Sequence, residues 1–270
     1  MGEVAKANPA RVGPTRLLQF WGMLFRLGKT RLEFPDEGHH DAVCRSFWGE
    51  APSTTPRRFT ISTNTISYAD SWQDEDVHVI DARRRGIEIG VTSPSTSAAA
   101  SIRLLAATVD AQAVVEVGTG AGVSGLLLLS AMRPDGILTT IDADAGHQAA
   151  AKDAFSSSDI PSGRARLITG EPLDVLPRLA DASYDMVVIN TPSNDFTSYF
   201  EQALRLLRVG GVVVFTAALG LDGGVADPAQ RDPGTVALRT LGQRIKDHEG
   251  LVAALLPVGD GLLAAVKREA

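Results

Sequence analysis

Cysteine is almost missing from this 270-residue chain: the single Cys44 excludes an internal disulfide and suits a reducing compartment. Aromatic residues make up only 6% of the sequence, and positive charge does not dominate. Lys and Arg number 26 against 32 Asp and Glu, a formal net charge of −6. With no basic stripe interleaved with aromatics, a nucleic-acid partner is not expected. Long apolar runs are missing too, since none reaches the ~18 residues of a membrane span. The early stretch 17–27 (LLQFWGMLFRL) is broken by Gln19 and Arg26 and has no small-residue cleavage site after it. Neither a signal peptide nor stable membrane insertion is expected, and a cytoplasmic location follows.

Regular periodicity is lacking in residues 1–70. Pro9, Pro14, Pro35, Pro52 and Pro56 and a Ser/Thr-rich tract punctuate them, so they are expected to form an irregular, poorly ordered N-terminal extension. Residues 16–31 fit a short basic amphipathic helix for a membrane surface or partner; a loosely docked extension is the simpler reading. His39, His40 and Cys44 have ligand-like spacing, but no second pair completes a zinc site.

From residue 71 onward the pattern is that of a single domain. Helices are expected at 74–88 and 95–108, the second with Pro94 in its first turn and Ser93 as cap. Strands at 113–117, 136–141, 165–168, 185–189 and 212–215 then alternate with helices at 123–132, 145–155, 172–179, 196–207 and 235–248. Near-continuous Val/Ile/Leu strands alternating with helices mean a parallel sheet covered on both faces. Strands at 251–256 and 261–267 have only four residues between them, too few for a parallel crossover, so they form an antiparallel hairpin. The expected fold is α/β and Rossmann-like: a doubly wound, mostly parallel seven-stranded sheet with a C-terminal antiparallel hairpin.

What is abundant is glycine, and its placement carries the chemistry. Residues 114–125 read VVEVGTGAGVSG: a strand ends in Glu116 and passes into Gly118, Gly120 and Gly122, then into a helix. Glycine lets the backbone adopt positive φ and lets a ligand approach it, and the helix start offers free N–H groups to an anion. Two cofactors compete for such a turn. Gly120, Gly122 and Gly125 fit the dinucleotide pattern G-x-G-x-x-G, with Asp142 the acid 22 residues beyond. Glu116, Gly118, Gly120 and Gly122 fill the S-adenosylmethionine pattern E/D-x-G-x-G-x-G without a gap. The second is favoured, because an acid on the strand can accept hydrogen bonds from an ammonium group, which NAD does not have.

Residues 74–270 resemble the small O-methyltransferases related to catechol and caffeoyl-coenzyme A O-methyltransferases, most closely a group of actinobacterial proteins. The stretches carrying this are VVEVGTGAGVSGLLLLSAMRPDGILTTIDAD, SYDMVVIN, LRLLRVGGVVV, VADPAQRD and PVGDGLLAAVK. The resemblance implies a class I methyltransferase using S-adenosyl-L-methionine on a small-molecule acceptor, and leaves room for a homodimer. Carried over by position, Glu116 takes the methionine ammonium, and the backbone at Gly118, Thr119 and Gly120 passes beneath the cofactor. Ser124, with Thr92 and Ser93 closing over it, holds the carboxylate. Asp142 accepts the ribose hydroxyls, and Ala143 lies beside the adenine. Two of these residues have blander alternatives: Ser124 as a helix-turn hydroxyl and Asp142 as a cap for the following helix.

The catalytic end departs from the family pattern. Metal-dependent relatives carry an Asp-Ala-Asp-Lys-like run after the fourth strand and Asp-Asn after the fifth. This chain has Asn190-Thr191-Pro192-Ser193 and Thr216-Ala217 there. One amide and one hydroxyl hold a hard dication poorly, so no metal is expected. Asn190 then faces the acceptor as a substrate-binding residue, and Asn190-Thr191-Pro192 is faintly similar to the Asn-Pro-Pro-aromatic motif of amine methyltransferases. Asp195, Asp222 and Asp227 are the candidate bases, none singled out. A cofactor-binding protein without turnover, acting as sensor or partner subunit, is the second functional expectation.

Overall fold

The structure, a computed structural model, describes residues 63–269. The segment 16–31 and the trio His39, His40 and Cys44 lie outside the described residues, as does all of the expected extension before Thr63. Among the described residues no helix is long and apolar enough to cross a membrane.

Three helices precede the sheet: α1 (Thr63–Ser71), α2 (Val77–Glu88) and α3 (Thr96–Thr108). The end of the expected irregular extension is therefore helical. Helix α1 buries none of its side chains, so it has no apolar face for a periodicity to reveal. Its fixed point is Asp70, which accepts hydrogen bonds from the backbone N (3.0 Å) and hydroxyl (2.6 Å) of Ser97 in the first turn of α3.

The cap of α3 is a correction. Ser95, not Ser93, precedes the first helical residue, and its hydroxyl accepts from Ala98 N. Pro94 lies outside the helix, where its carbonyl accepts from Arg83.

The rest alternates: β1 (Ala113–Val117), α4 (Val123–Ala131), β2 (Ile137–Asp142), α5 (Ala145–Ser157), β3 (Ala165–Thr169), α6 (Pro172–Val175), β4 (Tyr184–Ile189), α7 (Phe196–Leu206), β5 (Leu207–Thr216), α8 (Pro233–Lys246), β6 (Leu251–Leu256) and β7 (Leu262–Lys267). The sheet runs β3-β2-β1-β4-β5-β7-β6, parallel except where β7 pairs antiparallel with β5 and β6. The fold expectation holds. Strand β5 begins five residues earlier than expected: Gly210-Gly211 looks like a turn, yet the chain pairs from Leu207 opposite Tyr184 and absorbs the glycines in a bulge.

Each sheet face has its own core. On one side Val114, Leu138, Met186 and Val188 meet Ile102 of α3 and Leu128 of α4. On the other, Val115, Val117, Val187 and Phe215 meet Phe200 of α7 and Leu241 of α8. Helix α4 is the central one, with seven of its nine residues buried, which explains its unbroken Leu126–Leu129 run. Glu116 alternates with Val115 and Val117 along β1 and so joins the Val114 face, beside Thr140 of β2 and Val188 of β4. The strand's period thus drives a carboxylate into an apolar core.

Candidate functional site

The carboxyl ends of the parallel strands meet at the turn between β1 and α4, the place where an open α/β sheet forms its binding crevice. The turn is built by backbone, not side chains. Gly118 (φ 90°), Gly120 (φ 53°) and Gly122 (φ 91°) all have positive φ, and Gly122 starts α4 without a side-chain cap, leaving its first N–H groups free of one. At Gly118 a Cβ would lie 2.2 Å from the Asn190 carbonyl oxygen, so only glycine lets the β1 and β4 ends approach. At Gly120 it would lie 2.9 Å from Cγ1 of Val91.

That second contact shows how 91–95 becomes a lip over the turn. Val91 N is tied to Gly86 O (2.8 Å), and Arg83 clamps Pro94 O while pairing in two places, at 2.7 Å each, with Glu75. Thr92 is exposed and Ser93 half-buried on this lip.

Glu116 is fully buried. One oxygen, Oε2, accepts a 2.7 Å hydrogen bond from the Thr140 hydroxyl; the other, Oε1, has no hydrogen-bond partner. Burial raises its pKa to about 7. The hydroxyls of Ser124 and Thr140 pull it back, Ser124 through proximity rather than a closed hydrogen bond, and the charge of Asp142 adds to the rise. A carboxyl so placed is ready to take a cation.

Asp142 ends β2 and is committed to the turn. Its Oδ2 accepts from Gly120 N (3.0 Å) and its Oδ1 from Asp144 N (3.0 Å), with His147 Nδ1 3.2 Å away. Asp144, not Asp142, caps α5, so the cap alternative for Asp142 falls away. Ala143 is exposed beside it.

Ser124 is buried in the first turn of α4, and its hydroxyl accepts from the Asn190 side-chain amide (3.3 Å), which also reaches Gly118 O (3.4 Å). Ser124 is therefore more than a helix-turn hydroxyl: it is part of the junction between α4 and β4. The Asn190 side-chain oxygen accepts from the Thr216 hydroxyl at 2.8 Å. The two positions at which the sequence resemblance implies metal-binding acids thus hydrogen-bond to each other. Ala217 next to them has φ 49°, uncommon for a residue with a Cβ and several-fold more frequent for Asn.

The candidate bases fare differently. Asp195 caps α7, accepting from Ser198 N (3.1 Å) and Oγ (2.7 Å), and those bonds hold its carboxyl below the usual range. Asp227 accepts from Ala229 N in an exposed turn. The side chain of Asp222 lies outside the described residues.

Sequence reasoning missed Thr119, Thr140 and Gln148 as a group. The Thr119 hydroxyl turns inward, 2.7 Å from that of Thr140, and Gln148 Nε2 donates to it at 3.0 Å. Thr139-Thr140 inside an otherwise apolar strand, and a Gln three residues before Ala151 on the inner face of α5, were the available signals. Two cavities, of about 270 and 610 Å³, lie apart from the glycine turn, one between α2, α3 and α4 and the other along β3 and α6.

Residues 77–268 match the family described as O-methyltransferase. The chain belongs to the O-methyltransferase family. It is 47% identical over 202 residues to the probable O-methyltransferase Rv1220c of Mycobacterium tuberculosis, covering 74% of this chain and 89% of that one. A protein from Corynebacterium glutamicum has a solved structure that is 33% identical, with a TM-score of 0.70 over 76% of this chain and 95% of its own. The O-methyltransferase TomG of Streptomyces achromogenes, involved in tomaymycin synthesis and solved in complex with S-adenosylmethionine, is 26% identical, with a TM-score of 0.68 over the same shares. The O-methyltransferase family membership is what the sequence resemblance implied, and the dinucleotide alternative drops away. Among the described residues no group of three His, Cys, Asp or Glu side chains is arranged to hold a metal ion.

Proposed function

We propose that this O-methyltransferase transfers a methyl group from S-adenosylmethionine to the hydroxyl of a small acceptor, without a divalent metal. The cofactor half of the reading rests on one observation: the buried, unpartnered Oε1 of Glu116 beside a backbone cradle at Gly118 and Gly120. When bound, the cofactor supplies a sulfonium-activated methyl group. Glu116 accepts hydrogen bonds from the ammonium. The backbone of Gly118, Thr119 and Gly120 runs beneath the amino-acid part, and Ser124 with the first N–H groups of α4 takes the carboxylate, under the lip of Thr92 and Ser93. Asp142 Oδ2, which accepts from Gly120 N, keeps a lone pair for the ribose, and the Ala143 backbone flanks the adenine. Asn190 borders the acceptor. Replacing Glu116 with alanine should cost roughly 1.5–3 kcal/mol of S-adenosylmethionine affinity, the scale of a hydrogen bond to a charged group. Titration calorimetry checks this; unchanged affinity would refute the site.

The metal half is supported by the Thr216–Asn190 hydrogen bond, which ties the two side-chain oxygens at these positions to each other and brings no carboxylate. Without carboxylates to hold Mg²⁺ against the acceptor, the protein aligns acceptor and methyl but does little to ionise a weakly acidic hydroxyl. Acidic phenols are then the expected acceptors. EDTA should leave both cofactor binding and S-adenosylhomocysteine production from a phenol panel unchanged, with turnover rising as phenol pKa falls. Activity restored only by Mg²⁺ or Mn²⁺ would overturn this half. A second reading, cofactor binding without turnover, gains from Asp195 being spent as a helix cap. No S-adenosylhomocysteine from any phenol or amine, with intact binding, would favour it.

A further inference from the structure

We propose that Gln148 is a positioning residue for the cofactor's ammonium: through Thr119 and Thr140 it orients a one-way chain of hydrogen bonds onto Glu116 Oε2, so that Oε1 alone faces the incoming cation. This rests on the reading of Glu116 given above.

The direction of every link is fixed by chemistry. The amide NH₂ of Gln148 lies 3.0 Å from the backbone carbonyl of Ile168 and 3.4 Å from that of Thr140. Carbonyls only accept, so the nitrogen, not the oxygen, must point there, and the amide cannot be flipped. Its other proton then goes to the Thr119 hydroxyl. With an acceptor site filled, Thr119 turns its own proton to Thr140, 2.7 Å away, and Thr140 passes its proton to Glu116 Oε2 at 2.7 Å. Thr119, Thr140, Gln148 and Glu116 are all buried, so water does not compete for these links.

Reversing the chain is disfavoured. If Oε2 carried a proton and donated it to Thr140, Thr140 would turn toward Thr119, which already accepts from Gln148. The Thr119 proton would then lose its acceptor, which is costly inside a core. The chain therefore favours the ionised carboxylate and leaves Oε1 as its unpartnered oxygen. Charged groups also act on Glu116: Asp142 at the end of β2 opposes its ionisation, and His147 on α5 touches Asp142. Helix α4 and strand β4 present the neutral Ser124 and Val188.

Two ligands separate the effects. S-adenosylhomocysteine carries the ammonium; 5′-methylthioadenosine shares the adenine, ribose and thioether but has no amino-acid group. For the parent protein, S-adenosylhomocysteine affinity should rise with pH through about 7 as Glu116 ionises. In Gln148→Met, and independently in Thr119→Val, that midpoint should move up by about one unit, with S-adenosylhomocysteine affinity at pH 7 falling several-fold, roughly the worth of one lost hydrogen bond. Methylthioadenosine affinity should stay within about twofold at every pH, and the double variant should be no worse than either single one. An effect acting through the ribose side of the site, at Asp142, would instead move both ligands alike. An unmoved midpoint, or equal losses for both ligands, overturns the proposal, and if one variant does not fold the other decides. Glu116→Gln provides the separate check: if it binds S-adenosylhomocysteine with the parent's affinity and pH profile, the Glu116 reading itself has failed.

Discussion

Gly118→Ala should destabilise the fold by about 2–5 kcal/mol and abolish cofactor binding. Positive φ costs a residue with a Cβ about 1–2 kcal/mol, and forcing atoms into packed space adds about 1–3 more. The new Cβ would lie 2.2 Å from the Asn190 oxygen and 2.7 Å from its carbonyl carbon, both rigid backbone. Retreat is blocked on both sides, because Gly118 N bonds to Ile141 O and Asn190 N to Val117 O, each at 2.8 Å. Relief therefore requires parting β1 from β4, which opens the floor of the site. Gly90→Ala is the matched control: its φ is 74°, but a Cβ there meets nothing within 4 Å, so only the strain of about 1–2 kcal/mol applies. Urea unfolding of both variants measures the difference. Equal losses would show that the approach of Asn190 to Gly118 is softer than its geometry implies.

The contrast between those two glycines also marks what the sequence could disclose. Glycines at 118, 120 and 122 after a strand were legible as a turn, because they follow an apolar run and precede a helix. Their need was not legible, since Asn190 and Val91 come from distant parts of the chain. The sheet was readable for the same local reason: β1, β2 and β4 are apolar runs of strand length bounded by turn residues. Helix α1 was not, because exposure on every side removes periodicity. Gly210-Gly211 misled in the other direction, since a bulge inside β5 uses the residues that mark turns. Asn190 and Thr216 were visible as missing acids, while their hydrogen bond to each other, a link between two strand ends, was not. The chain from Gln148 to Glu116 spans three elements and has no sequence period at all.

Raising the pH from about 4.5 to about 7 should weaken the ligand-free protein through Glu116, by up to roughly 3 kcal/mol at about 1.4 kcal/mol per unit of pKa difference. Burial raises this carboxyl from an ordinary 4.5 to about 7 in the folded state. Between those values the folded protein holds a proton that the unfolded chain has released, so stability falls as pH rises. Below 4.5 both states are protonated and the contribution is complete; above 7 both are ionised and it is gone. Asp70, Asp185, Asp195 and Asp232 are all shifted downward by their hydrogen bonds, so their losses belong to more acid conditions than this window. The buried carboxylate that costs the free protein stability at neutral pH is the same group that gains a cation when cofactor binds. S-adenosylhomocysteine should therefore stabilise the parent more at pH 8 than at pH 5. Glu116→Gln, neutral throughout, should flatten the pH dependence without ligand and remove that extra stabilisation. Urea midpoints of parent and variant at pH 5, 6, 7 and 8 give the comparison, and parallel curves would mean that Glu116 does not titrate in this range.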